Sequence, residues 1–166
     1  MKHSKYIIEA QTKYTIHAND CDILGHLNNA KYVELFHSAR EDHLIDIYGY
    51  DMAALVRYEA GFVVGSQQIY YFRSAVCYER VMIQSSVIKL EDTKIMVEFV
   101  MFNEPKTEVK SIMWTEYISI RKSTGKTGEI PEERKEFFKN LLNTKVRIED
   151  GILNRYKDLK ESLKGN

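Results

Sequence analysis

Residues 29–48, NAKYVELFHSAREDHLIDIY, constrain the fold of this chain more than any other stretch. Tyr32, Phe36, Ala39, His43 and Ile47 recur at helical spacing on one stripe, while Val33, Leu35 and Leu44 place apolar surface elsewhere around the same helix. A helix that is apolar over much of its circumference does not rest on a surface; other elements must surround it. Gly49 follows as a helix-ending residue.

The segments able to surround it are strands. Residues 10–18 (AQTKYTIHA) read as a strand ahead of the helix. After a loop come GFVVGSQQIYYF (61–72), VMIQSSVIKL (81–90), KIMVEFVMF (94–102) and SIMWTEYISI (111–120). In 94–102, Ile95, Val97, Phe99 and Met101 alternate with Met96, Glu98, Val100 and Phe102; in 111–120, Ile112, Trp114 and Ile118 share a face. The connectors EDT (91–93) and NEPKTE (103–108) suit hairpins, so the sheet is expected to be mostly antiparallel. KSTGKTG (122–128) reads as a loop, and Pro131 starts a short helix, PEERKEFFKNLL, in a first-turn position that tolerates proline. In IEDGILNRYKDLKESL, residues Ile152, Tyr156, Leu159 and Leu163 again fall at helical spacing. The expected fold class is α+β: an antiparallel sheet of about five strands around one long central helix, with C-terminal helices.

The 166 residues suit one domain, read as 1–143 with a helical extension over 144–166. Lys+Arg and Asp+Glu are both 24, so nothing global argues for nucleic acid or an anionic membrane. The charge is uneven: Arg121–Asn166 carries 12 basic and 8 acidic residues, as a solvated basic tail would. The N-terminus has no apolar signal-like core, and no apolar run approaches the roughly 20 residues needed to span a membrane. A cytoplasmic chain with Cys21 and Cys77 reduced is expected. The two cysteines have no CxxC spacing, and the five histidines form no HExxH, so neither metal nor cofactor is expected.

Ahead of the central helix lies NDCDILGHLNNAKY, residues 19–32. Asn28 or Asn29 can cap the helix, and Asp20 and Asp22 can support a turn. The same residues also have a chemical reading. A helix N-terminus presents unpaired N–H groups and a positive dipole end, suited to an oxyanion. A carboxylate a few residues upstream can be a nucleophile or a general base, and Gly25 lets the loop fold back so that both face one point. That pair is what hydrolysis of an activated acyl group requires. No G-x-S-x-G elbow exists, and GKTG at 125–128 lacks the spacing of a phosphate loop. Cys21 reads as a small packed residue rather than a nucleophile.

The stretch NDCDILGHLNNAKYVELFHSAR resembles the signature of hotdog-fold acyl-CoA thioesterases of the 4-hydroxybenzoyl-CoA thioesterase-like group. It carries Asp20-Cys21-Asp22, then Gly25-His26-Leu27-Asn28-Asn29, then Tyr32 and a helix reaching Ala39-Arg40. The resemblance implies that Asp22 is the catalytic carboxylate and that the Asn29 backbone N–H polarises the thioester carbonyl. It implies that His26, Gly25 and Asn28 shape the site. An acyl pocket would be lined by Tyr32, Phe36 and Phe62, with CoA phosphates on Arg73, Lys89 and Lys94. It further implies a homodimer or homotetramer acting on acyl-CoA, without nucleic acid or membrane. Three positions depart from the pattern: Leu24 where carrier-protein thioesterases carry asparagine, Ser74 after Arg73 where a proline is usual, and His37 where many relatives carry an acid. The competing readings are a non-catalytic acyl-binding hotdog module and an acyl-carrier-protein thioesterase. The latter would need a basic docking surface that zero net charge does not favour.

Overall fold

A computed structural model describes residues 6–50 and 58–165. The loop expected between the long helix and the second strand lies largely outside them. Five strands, β1 (Ala10–Thr15), β2 (Ala60–Tyr71), β3 (Arg80–Leu90), β4 (Lys94–Asn103) and β5 (Val109–Arg121), form one sheet. Its order is β1-β3-β4-β5-β2, and every neighbouring pair is antiparallel. The β3–β4 and β4–β5 hairpins fall where their connectors were expected. β1 is shorter than 10–18, because the chain turns through a 3-10 segment at Ala18–Asp20 into the polar loop.

The long helix α1 (Asn29–Asp42) lies in the curve of the sheet and continues as a π-turn over His43–Ile47. Gly49 ends it with φ of +66°, a left-handed conformation that glycine adopts without strain. Tyr32, Phe36, Ala39 and His43 are buried, as the stripe requires. They pack on the inward residues of the strands, Val81, Ile83, Ile95, Val97, Phe99, Met101 and Met113 among them. Phe36 meets Phe99 with ring centroids 5.5 Å apart. α2 (Glu132–Asn140) closes the same side with Phe138, and Pro131 stands one position earlier than expected, as its N-cap.

The opposite face of the sheet is also apolar, since β4 alternates two hydrophobic sets. Ile88, Val100, Phe102, Ile112 and Trp114 need cover, and α3 (Gly151–Lys164) supplies it with Ile152 and Leu159. The Tyr156 ring stacks on Phe72 at 3.8 Å. No helix among the described residues is long and apolar enough to cross a membrane.

Under α1, His43 is fully buried, with Nδ1 2.7 Å from the Ser85 hydroxyl. Burial, assisted by the Arg40 charge, lowers its pKa from 6.5 to about 4. The unfolded chain therefore binds a proton that the native chain refuses between those values. The stabilising contribution is complete above pH 6.5 and is lost as pH falls toward 4. Urea unfolding at pH 7 and pH 4.5 should differ by on the order of 2–3 kcal/mol from this group alone. A His43→Asn variant should show a shallower slope; an unchanged slope would remove His43 from the account.

Candidate active site

The polar loop is built by its own carboxylates. Asp20 Oδ2 accepts from the His17 N–H at 3.3 Å, and the Asp20 carbonyl accepts from the Asn28 N–H at 2.9 Å. Asp22 Oδ1 accepts from the N–H groups of Leu24 (2.9 Å) and His26 (3.1 Å), while its own N–H donates to the His26 carbonyl at 2.8 Å. Gly25, with φ of +75°, makes this reversal possible. The loop is then stitched to the segment after β2: Leu27 N–H donates to Ala75 O at 2.8 Å, and Cys77 N–H to Gly25 O at 3.0 Å.

Asn28 is the N-cap of α1, its side-chain oxygen accepting from the Ala30 N–H at 3.0 Å. The next amide, Asn29, lies in the first turn, where no intrahelical acceptor exists, and it finds none elsewhere among the described residues. The Tyr32 hydroxyl accepts from the Ala75 N–H at 3.0 Å, and its ring meets Tyr71 edge-on at 5.0 Å.

These groups border a cleft of about 210 Å³ lined by Asp22, His26, Leu27, Asn29, Tyr32, Tyr71, Phe72, Arg73 and Ser74. Five of the residues singled out from the sequence, Asp22, His26, Asn29, Tyr32 and Arg73, thus share one cavity; Gly25 and Asn28 do not line it and act through the loop turn and the helix cap. Asp22 is exposed, with one oxygen fixed by two backbone donors and the other without a partner among the described residues. The chemical content is a positioned carboxylate and the positive end of a helix lining one cleft.

Other expected residues lie elsewhere in the chain. Phe36 is fully buried in the core and borders neither cavity. Phe62 lines a second, larger pocket of about 400 Å³ against the C-terminal half of α1. Lys89 and Lys94 sit at the β3–β4 hairpin, paired with Glu91 (2.5 Å) and Glu116 (3.1 Å), away from the Asp22 cleft. Arg73 has a loose ion pair with Glu108 at 3.6 Å. The Cys21 thiol faces the His17 carbonyl at 3.5 Å, and burial, with Cys77 nearby, raises its pKa, so the thiol form is favoured. Among the described residues no group of three or more His, Cys, Asp or Glu could hold a metal.

The sequence reading missed Tyr71 and Phe72 and noted Ser74 only as a departure from the family pattern; all three arrive from the end of β2 and the turn beyond it. It also missed a polar cluster under α1. His37 Nε2 lies 2.8 Å from the Gln67 amide, and its Nδ1 lies 2.9 Å from the Tyr117 hydroxyl. Burial lowers the His37 pKa and pushes Tyr117 up to about 12, so both rest neutral.

Fold and cleft together match known proteins. A sequence model of the thioesterase-like superfamily matches residues 16–138, and the chain belongs to that superfamily. No curated protein matches the chain. Among solved structures, YbaW, a probable thioesterase from Escherichia coli, is 25% identical with a TM-score of 0.70, covering 80% of this chain and 98% of that one. A 1,4-dihydroxy-2-naphthoyl-CoA thioesterase from Synechocystis is 13% identical with a TM-score of 0.72, covering 80% and 97%. A DHNA-CoA thioesterase from Staphylococcus aureus is 22% identical with a TM-score of 0.70, covering 80% and 87%. The expected α+β architecture, a five-strand antiparallel sheet wrapped on one long helix, is therefore the hotdog fold of thioesterases.

Proposed function

We propose that this protein hydrolyses an acyl-CoA thioester to the free acid and CoA. The observation that carries the reading is the shared cleft of Asp22 and the Asn29 amide. A thioester carbonyl oxygen placed on the Asn29 N–H would gain stabilisation as it becomes an oxyanion, from a donor already fixed at a helix N-terminus. Asp22 then either attacks the carbonyl carbon, forming an anhydride that water cleaves, or removes a proton from an attacking water. Either route ends in a carboxylic acid and the CoA thiol. His26 lines the cleft beside Asp22, and Arg73 at its mouth is the basic group best placed for a phosphate.

Support for the substrate class comes from the superfamily and from two structural neighbours whose names specify a CoA thioester. The test is a panel of acyl-CoAs, from short to long and aromatic, followed with a thiol reagent. CoA release well above the buffer rate on at least one member is expected. Binding without release across the panel would leave the acyl-binding module as the function.

The working unit in this reading is a homodimer. β2 is a 12-residue edge strand with Val63 and Val64 exposed, and an unpaired edge of that length invites pairing. Antiparallel pairing of two β2 strands about their middle sets the Tyr71 end of one against the Ala60 end of the other. That end carries the larger pocket and, across the sheet, Lys94, whose partner Ile118 pairs with Val63. Light scattering should give at least twice the 19.5 kDa chain mass; a monomer at assay concentration would overturn the shared-site part of the proposal.

A further inference from the structure

The larger pocket holds two arginines that the hydrolytic reading does not use. Arg40 of α1 and Arg134 of α2 line it together with the apolar Leu44, Phe62, Ile95 and Phe138. Arg40 is 7% exposed and Arg134 is 5% exposed. Guanidinium groups stay charged even when burial lowers their pKa, as it does for Arg40. Yet neither forms an ion pair with a carboxylate among the described residues, although Glu41 also borders the pocket. Arg40 Nη1 reaches the Ser85 hydroxyl at 3.4 Å, and its guanidinium lies 5.9 Å from the centre of the Tyr48 ring. Arg134 Nη1 donates to Ala60 O at 2.8 Å, and its guanidinium lies 4.5 Å from the centre of the Tyr58 ring. The Tyr50 hydroxyl lies near enough for the Arg134 charge to act on it.

The remaining donors of Arg134, Nε and Nη2, are buried and have no close hydrogen-bond partner among the described residues; the Tyr50 hydroxyl stands at the limit of hydrogen-bond reach of the guanidinium. These two N–H groups form the side edge of the guanidinium, the edge that meets the two oxygens of a carboxylate in parallel. Leaving a buried charge and two buried donors unmet is costly, and natural interiors avoid it. The pocket that Arg134 borders is walled by Leu44, Phe62, Ile95 and Phe138, with His37, Glu41, Tyr117 and Lys122 also on its lining. The pocket thus asks for one planar anion attached to a hydrophobic body.

We infer that the pocket between α1, α2 and β2 binds a carboxylate carried on an apolar chain or ring, with Arg134, turning its closed-off Nε and Nη2 edge toward the pocket as the ligand enters, as its receptor and Arg40 as the second positive charge. Two sources share this chemistry: the far end of an acyl group that bears a second carboxylate, or a free carboxylic acid. The first rests on the acyl-CoA reading; the second stands without it.

Octanoate and octanol, matched in chain length, are the binding probes, read by calorimetry and by thermal shift on the full chain. Octanoate should bind and raise the melting temperature, and octanol should not. Arg134→Gln, and Arg134→Lys in case the first variant folds poorly, should each weaken octanoate by about tenfold or more, because lysine keeps the charge but not the paired donors. Suberyl-CoA and octanoyl-CoA then separate the sources, since they differ only in the terminal carboxylate. A preference for suberyl-CoA in kcat/KM of about tenfold, lost in Arg134→Lys, assigns the site to the substrate's far end. Arg134-dependent octanoate binding without that preference assigns it to a free acid, and the same binding with no turnover on any thioester leaves the pocket standing while the hydrolytic reading falls. Octanoate no tighter than octanol, together with no preference for suberyl-CoA, overturns the inference.

Discussion

Asp22→Asn is expected to lower kcat on an acyl-CoA by about a hundredfold or more, with little change in melting temperature. The separation of the two effects follows from the geometry. Asp22 Oδ1 holds the loop by accepting from Leu24 N–H and His26 N–H, and an asparagine oxygen accepts the same two bonds. What the substitution removes is the charge, the basicity and the nucleophilicity of a carboxylate that lines the same cleft as Asn29. Asp20→Asn should cost far less, because Asp20 supports the turn through His17 N–H and does not line the cleft. A steady-state assay of both variants on one acyl-CoA, with melting curves as the folding control, makes the comparison. Loss in Asp20→Asn with retention in Asp22→Asn would move the catalytic role two residues upstream. Retention in both would reduce the loop to a turn and a helix cap.

The central helix was legible because burial on several sides leaves a periodic record, and the strands because β4 alternates two apolar sets. The loop of Asp22 was legible for a local reason: capping residue, reversing glycine and carboxylate lie within a few positions of one another. Tyr71 and Phe72 left no such mark. They reach the cleft only because the chain after β2 pairs with the Gly25–Leu27 segment, a contact about 50 residues long in sequence that no local pattern encodes. Arg134 was hidden differently. It sits in EERKEFF, which reads as a solvated helix face, and only the docking of α2 against Ala60 turns it inward. Lys89 and Lys94, whose charge suggested a phosphate site, are paired with Glu91 of the β3–β4 connector and Glu116 of β5, a pairing that the sequence pattern did not indicate.

Glu98 was read simply as one member of the outward set on β4, and its environment sets the other large effect. It is 1% exposed on the face covered by α3. Arg155 of α3 grips it through Nε at 3.0 and 3.1 Å and Nη2 at 2.8 Å, and Trp114 Nε1–H donates to Oε2 at 3.0 Å. Removing one partner of such a pair strands the other charge in an apolar layer, which costs about 3–5 kcal/mol. Arg155→Ala should therefore lower the urea midpoint sharply, more than Glu98→Gln, which leaves no buried anion and still accepts from Trp114. The double variant Glu98→Gln with Arg155→Met should recover most of the loss, since no charge then remains in the layer. Deleting residues 146–166 adds the exposure of Val100, Phe102, Ile112 and Trp114 to the loss of Arg155, and should give an insoluble or unfolded chain. By contrast, Arg155→Ala lies on the face of the sheet opposite α1, so the protein that remains folded should keep its kcat on acyl-CoA. A urea midpoint for Arg155→Ala equal to that of the unaltered chain would show that the ion pair does not hold α3. A folded Arg155→Ala protein that lost turnover would instead draw the C-terminal helix into the active site.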